Sequence, residues 1–347
     1  MRRIFAFLVC TLFLASSSNA ELVVSYREPV EPTIGDFFQY EAIGNHFPDG
    51  MGKAIDEEKY LRVEDYDRNG MRIEIVDMIE EVDGETVDYI AMLWTWETSF
   101  TLYFDDALGD GDGKEDTVEV SMVMMEEVWQ INEGLFNLNG TNIKSSFKQE
   151  ITMIMTFNEY EDQTVLIGES IEETEIEHIS TSSNQPNEIR VGDVWTLSTT
   201  EQTTGTYRDR TCEKNDDNCE WEIEDIDEEE TVTTTSEVLA EVSVKTASSG
   251  TFEALEIKDI DEGEDSGTYS LEYVSVTGLP IKLLVYLEGE INMDMQLASC
   301  LVSALGVCEN LSSAEEDADG RLGDLPSLPL FMSLAMIALI ASRKRLQ

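Results

Sequence analysis

Two histidines, His46 and His178, are all the imidazole the chain contains, so metal triads and histidine-based catalytic dyads have almost no material. Basic residues are scarce as well: 22 Lys and Arg stand against 73 Asp and Glu, a formal net charge of −51. Such a surface repels nucleic acid and anionic lipid headgroups and attracts cations. No glycine-rich phosphate loop occurs. Paired carboxylates, the tools of glycoside hydrolysis, carry no information among 73 acids. No catalytic residue and no cofactor is therefore assigned, and the chain reads as non-enzymatic. High acidity alone points toward disorder, but 41% hydrophobic residues and five tryptophans argue for real cores.

Long apolar runs occur only at the two ends. "MRRIFAFLVCTLFLASSSNA" joins a basic Arg2-Arg3 start to an apolar stretch too short to span a bilayer, then to the small residues Ser18-Asn19-Ala20. Residues 1–20 are thus expected to be a secretory signal peptide, with Cys10 a small hydrophobe inside it. At the other end, residues 325–342 are 18 positions without a charge, followed by Arg343, Lys344 and Arg345. As a helix they reach about 27 Å, close to a hydrocarbon core of about 30 Å. Pro326 and Pro329 fall in its first turn, where the missing N–H groups cost little. The basic end belongs on the cytoplasmic side, so residues 325–347 read as a membrane anchor with everything before them outside the cell. This stretch with its basic cluster resembles the sorting tails of archaeal surface proteins, in which an archaeosortase recognises a Pro-Gly-Phe-type tripeptide. Here "LPSLPLF" lacks that tripeptide, so the resemblance implies anchoring without implying processing. The acidic balance is similar to that of surface proteins from salt-adapted archaea.

Removing both ends leaves four cysteines: Cys212, Cys219, Cys300 and Cys308. An even count in an exported chain favours disulfides. Three connectivities fit, and the local one closes short loops around "EKNDDN" and "LVSALGV". Zinc is the rival reading, but neither pair has Cys-x-x-Cys spacing. Asn139 and Asn310 head glycosylation sequons, "NGT" and "NLS".

Between the ends, alternation dominates. "MRIEIVDMI" from Met71, "TVEVSMVMM" from Thr117 and "EVLAEVSVKT" from Glu237 place apolar residues near every second position. Asn69-Gly70, Asp83-Gly84 and Ser249-Gly250 supply hairpin turns. Only "MEEVWQINEGLF", 125–136, reads as a short helix. The expected fold is mainly β: two antiparallel β-sheet domains, each a curved sheet or sandwich with a covering helix, plus one C-terminal transmembrane helix. The polar stretch "STSSNQPNE" sets the boundary, giving domain 1 at 21–185 and domain 2 at 186–311, then an acidic stalk at 312–324. Two echoes suggest that domain 2 duplicates domain 1. "TIGDFFQY" from Thr33 matches "RVGDVWTL" from Arg190, and "EITMIMTF" from Glu150 matches "EINMDMQL" from Glu290.

In domain 2, "VGDVWTL", "SSGTFEALEI" from Ser248 and "YVSVTGLPIKL" from Tyr273 resemble segments of LolA/LppX-type lipoprotein-carrier domains. The likeness spans about residues 187–297. It implies a curved antiparallel sheet wrapped around helices, with lipid held in the hollow in some members.

One constellation points to an ion. In "DALGDGDGKEDTVE", Asp110, Asp112 and Asp116 with Glu119 have spacing suited to a hard cation, and Ca²⁺ is the candidate. An EF-hand is excluded because Leu108 takes its first position and strands flank the loop. The competing view is a solvated acidic turn. The run "EWEIEDIDEEE", 220–230, reads as the wet face of a strand or a diffuse cation site. Trp94 and Trp96 share one face of a strand, as core or as a sugar-stacking pair. Together these features predict an anchored, extracellular binding or scaffolding protein with a protein, glycan or lipid partner. The alternative is a carrier of a lipid or other apolar ligand.

Overall fold

The computed structural model describes residues 24–25 and 31–307, apart from 68–69, 83–84, 106–113, 132–141, 159–162, 187, 214–218, 262–267, 276–277, 288 and 304–305. The expected signal peptide, stalk and anchor, both sequons, Cys308, Asp110 and Asp112 lie outside the described residues. Among the described residues, no helix is long and apolar enough to cross a membrane.

The first half of the chain forms β1 (Val24–Ser25), β2 (Phe37–Ala42), α1 (His46–Asp56), β3 (Tyr60–Asp67), β4 (Met71–Val82), β5 (Glu85–Asp105), β6 (Glu115–Ile131), β7 (Asn142–Asn158) and β8 (Gln163–Ser183). The second half forms β9 (Glu188–Ile189), β10 (Val194–Glu213), β11 (Glu222–Lys245), β12 (Thr251–Asp261), β13 (Tyr269–Ser275), β14 (Pro280–Leu287), β15 (Glu290–Val302) and β16 (Gly306–Val307). The mainly β, antiparallel expectation holds. The expected pair of sheets does not: β14-β13-β12-β11-β10-β8-β7-β6-β5-β4-β2-β15 is one path, and β15 pairs with β14 to close it. The result is a 12-stranded antiparallel barrel that the two halves build together. The reason is physical: a six-stranded half alone would leave two bare edges, and closure through β8–β10 and β15–β2 removes them.

The halves nevertheless run in parallel. In "TIGD", Gly35 takes φ 93°; in "RVGD", Gly192 takes φ 90°, a backbone that favours glycine. In each turn the aspartate side chain accepts a hydrogen bond from the residue three before it, Thr33 N to Asp36 at 3.0 Å and Arg190 N to Asp193 at 2.8 Å. Each turn then clips onto a neighbouring strand. Gly35 N donates to Ile75 O and Ile75 N to Asp36 O; Gly192 N donates to Val238 O and Val238 N to Asp193 O. A bulge follows at the same place, between Ile75 and Asp77 in one half and between Val238 and Ala240 in the other. β2, β4, β5, β6, β7 and β8 therefore correspond in order to β10, β11, β12, β13, β14 and β15. The second echo does not fit this correspondence, because "EITMIMTF" lies on β7 and "EINMDMQL" on β15.

Alternation builds the wall. On β5, Ile90, Met92, Trp94, Trp96, Thr98, Phe100, Leu102 and Phe104 are all buried, and on β6 so are Val118, Val120, Met122, Met124, Glu126 and Val128. The helix expected from Met125 is instead strand through Ile131, paired residue by residue with β5. Its buried glutamate, Glu126, disguises the period of two. The outward faces are charged: Lys148 bridges Glu150 and Glu173, Arg208 reaches Glu173, and Arg210 pairs with Glu169. That is the reverse of a membrane barrel, whose outer band is apolar.

α1 packs against β3, β5 and β15, with Phe47 seated on Trp96 and Phe100 at ring distances of 5.1 and 6.0 Å. Cys212 and Cys219 form a disulfide across the base of the β10–β11 connection, and Cys300 is disulfide-bonded as well. The closed loop is short, so Cys212→Ser with Cys219→Ser is expected to cost about 2 kcal/mol at most in urea unfolding. Limited proteolysis should show faster cutting near 214–218 with the rest of the barrel intact.

Candidate functional site: the inner wall of the barrel

Strand register places Ser145, Phe147, Gln149, Ile151, Met153 and Met155 of β7 on the same inward face as Glu126 and Met124 of β6. Through β8 the face continues to Ile176 and His178, and through β10 to Glu201 and Tyr207. The two sides of this interior differ. Toward β5 and β6 it is a packed core under α1. Toward β7, β8, β10 and β11, the inward residues Ile151, Met153, Met155, Ile176, Tyr207 and Ile226 are only half-buried. The interior thus has one filled wall and one looser wall, on which half-buried Ile151, Met153 and Met155 pack against the core while Glu172, Glu224, Glu228 and Glu230 share the inward face.

A buried polar knot sits beside the looser wall. His178 Nδ1 lies 3.2 Å from Glu201 Oε1, with side-chain exposures of 1% and 8%. A bulge brings them opposite one another where β8 meets β10. A bulge also occurs at the other closure, where β15 meets β2, nearer to its Gly-Asp turn, and there Leu297 faces Tyr40. Tyr40 is simply anchored, its hydroxyl donating to Pro280 O at 3.1 Å.

Glu126 joins the knot from β6. Burial drives its carboxyl up to about 7; the Ser145 hydroxyl beside it opposes that rise, and the charge of Glu201 adds to it. Below neutrality Glu126 is therefore an O–H donor in an apolar wall. Its direct cross-strand neighbour is Trp94. Trp94 and Trp96 are each 6% exposed, and neither indole N–H finds an acceptor among the described residues. The pair belongs to the interior and offers no exposed sugar platform. The buried acids are Asp36, Asp116, Glu126, Glu201 and Glu272, while no lysine or arginine among the described residues is buried.

Of the ion site expected at Asp110, Asp112, Asp116 and Glu119, only Asp116 and Glu119 lie among the described residues. Asp116 is buried opposite Phe104, whereas Glu119 is exposed on the other face of β6. No group of three or more potential ligands converges among the described residues. The acidic run lies on β11, with Ile223 exposed and Trp221 under the Arg210 guanidinium at 4.4 Å. Glu126, Ser145, His178 and Glu201 carry no spacing signal in sequence, because four different strands bring them together.

No protein-family model, curated protein or solved structure matches the chain.

Proposed function

We propose that this protein is an exported, membrane-anchored carrier or receptor that holds an apolar molecule against the looser inner wall of its barrel. The observation that carries the reading is that Ile151, Met153, Met155, Ile176 and Ile226, on the inward faces of β7, β8 and β11, stay half-buried while the β5 and β6 side is packed. Barrel diameter grows roughly in proportion to strand number, and about eight strands are already filled by side chains alone. Twelve strands enclose more, and α1 occupies one side of the surplus. Methionine suits such a wall because its flexible thioether adapts to irregular apolar shapes. A scaffold whose work lies on its outer face has no use for half-buried apolar side chains in its interior. The address rests on the signal-like start and the apolar, base-terminated end, and the disulfide supports an oxidising compartment.

Energy transfer from tryptophan to a neutral pyrene-bearing alkane, titrated into the purified full chain, tests the reading. Saturable one-to-one transfer is expected, and Met153→Lys should weaken it about tenfold or more by placing a charge on the wall. Transfer that never saturates, or that ignores the substitution, removes the carrier reading.

A further inference from the structure

We infer that the ligand of this wall carries an uncharged head with a hydrogen-bond acceptor, such as a ketone, ester or ether oxygen, and that the head docks at Glu126 and Trp94, where the packed side of the interior meets β7. The inference rests on the carrier reading and adds the chemistry of the head.

Three observations converge on that head. First, the Trp94 and Trp96 indoles are more than nine-tenths buried, and their N–H groups have no acceptor among the described residues, Trp96 lying under the Phe47 ring and Trp94 beside Glu126. A buried donor without a partner is costly, and an indole can only donate, so the missing partner is an acceptor. Second, among the described residues the buried Asp and Glu side chains have no buried lysine or arginine to offset them. A carboxylate or phosphate head entering the interior meets like charge in a poorly screened setting. Third, the polar knot occupies one seam only. The equivalent seam is closed by Leu297 and by a Tyr40 hydroxyl already bound to Pro280 O. That seam closes without a buried ionisable pair, so closure of the barrel does not by itself require Glu201 and His178.

The geometry divides the ligand in two. The acyl or isoprenoid portion lies along Met153, Met155 and Ile176, and the acceptor oxygen sits at the cross-strand pair Trp94–Glu126. The titratable groups facing Glu126 from neighbouring strands are His178 and Glu172 on β8, Glu201 on β10, and Glu228 and Glu230 on β11. None of these is a fixed cation, so nothing in this set favours an anionic head.

Three probes of one chain length separate the possibilities: 2-pentadecanone, pentadecane and pentadecanoate, each competed against the pyrene-bearing alkane on the full chain at pH 6. The ketone is expected to bind about tenfold tighter than the alkane, and the alkanoate weakest of the three. Trp94→Phe, which keeps the ring and removes the N–H, should weaken ketone binding about tenfold more than pentadecane binding, a difference that a merely misfolded wall would not give. Glu126→Gln keeps a donor and should retain the advantage at pH 6 and at pH 8.5, where the parent protein loses part of it. Ketone and alkane binding equally would overturn the head assignment while the carrier reading stands. A tightest-binding alkanoate overturns the charge argument. If none of the three displaces the pyrene alkane, the carrier reading itself falls.

Discussion

Glu126→Gln should stabilise the protein by about 3 kcal/mol at pH 8.5 and leave it unchanged at pH 4, an effect that follows from burying a carboxyl whose ionisation moves from 4.5 up to about 7. The sign follows from which state holds the proton more tightly. In the unfolded chain the side chain ionises near 4.5, while in the barrel it keeps its proton to about 7. The stabilisation linked to that proton is fully present below 4.5 and is lost as pH rises through 7. Above 7 the folded protein must hold a carboxylate among Trp94, Val128 and Phe147, close to the like charge of Glu201. Glutamine has the same shape and no charge, so the penalty disappears. Urea unfolding of both proteins at pH 4, 6 and 8.5 provides the check. A constant difference across the three values would mean that Glu126 is solvated in the folded state.

That carboxyl also shows why the site was hard to read from sequence. In "MEEVWQ" two consecutive acids interrupt an apolar pattern, and the natural inference is a solvent-facing turn of helix. The ladder with β5 decides otherwise, because seventeen consecutive pairings from Tyr89–Ile131 to Asp105–Glu115 fix residues 115–131 as strand. His178 and Glu201 pose the same difficulty in a different form. Each is unremarkable in its own segment, and only the β8–β10 register with its bulge sets them face to face.

Other features were legible because they are local. The runs from Met71, Thr117 and Glu237 lie on β4, β6 and β11 as alternation requires. The Gly-Asp echo marks a real structural equivalence, because a positive-φ glycine followed by a capping aspartate is a turn written into four residues. The Met-x-Met echo misleads for an instructive reason. Met153 and Met155 on β7 share the inward face of that strand, and Met293 and Met295 on β15 are likewise buried in the core. Both segments obey the same period of two without occupying the same place. Closure itself is invisible in sequence: β2 meets β15 through pairings such as Phe38–Cys300 and Met295–Ala42, between strands at opposite ends of the described chain, with a bulge between Leu297 and Ser299. α1 escaped notice because Pro48, Gly50 and Gly52 read as turn residues. In the fold the two glycines make room for Asn292 and the Tyr60 ring.

Gly70→Ala is expected to destabilise the barrel by about 3 kcal/mol, the upper range for forcing atoms into a filled interior. A Cβ at Gly70 would overlap the Tyr40 carbonyl oxygen and crowd the backbone at Glu41, so the obstacle is main chain and not a side chain free to swing aside. Tyr40 and Glu41 belong to β2, the strand that bridges β4 to β15 and so shuts one seam. Relief therefore requires β2 to move away from its neighbours, at the expense of ladder bonds and of the fully buried Tyr40 ring with its tie to Pro280. Gly168→Ala is the matched comparison. It lies on β8 facing β7, where an added Cβ would meet Met153 Cε at 3.6 Å, Met153 Cβ at 3.8 Å and Met155 Cε at 3.8 Å, all ordinary van der Waals contacts. That substitution should change stability by less than about 1 kcal/mol, because lower chain entropy in the unfolded state offsets any small crowding. Thermal and urea unfolding of both variants would show a large loss for one and almost none for the other. Equal losses would mean that the interior is as tightly filled at β7 and β8 as it is at the β2 seam, and the looser wall on which ligand carriage depends would not exist.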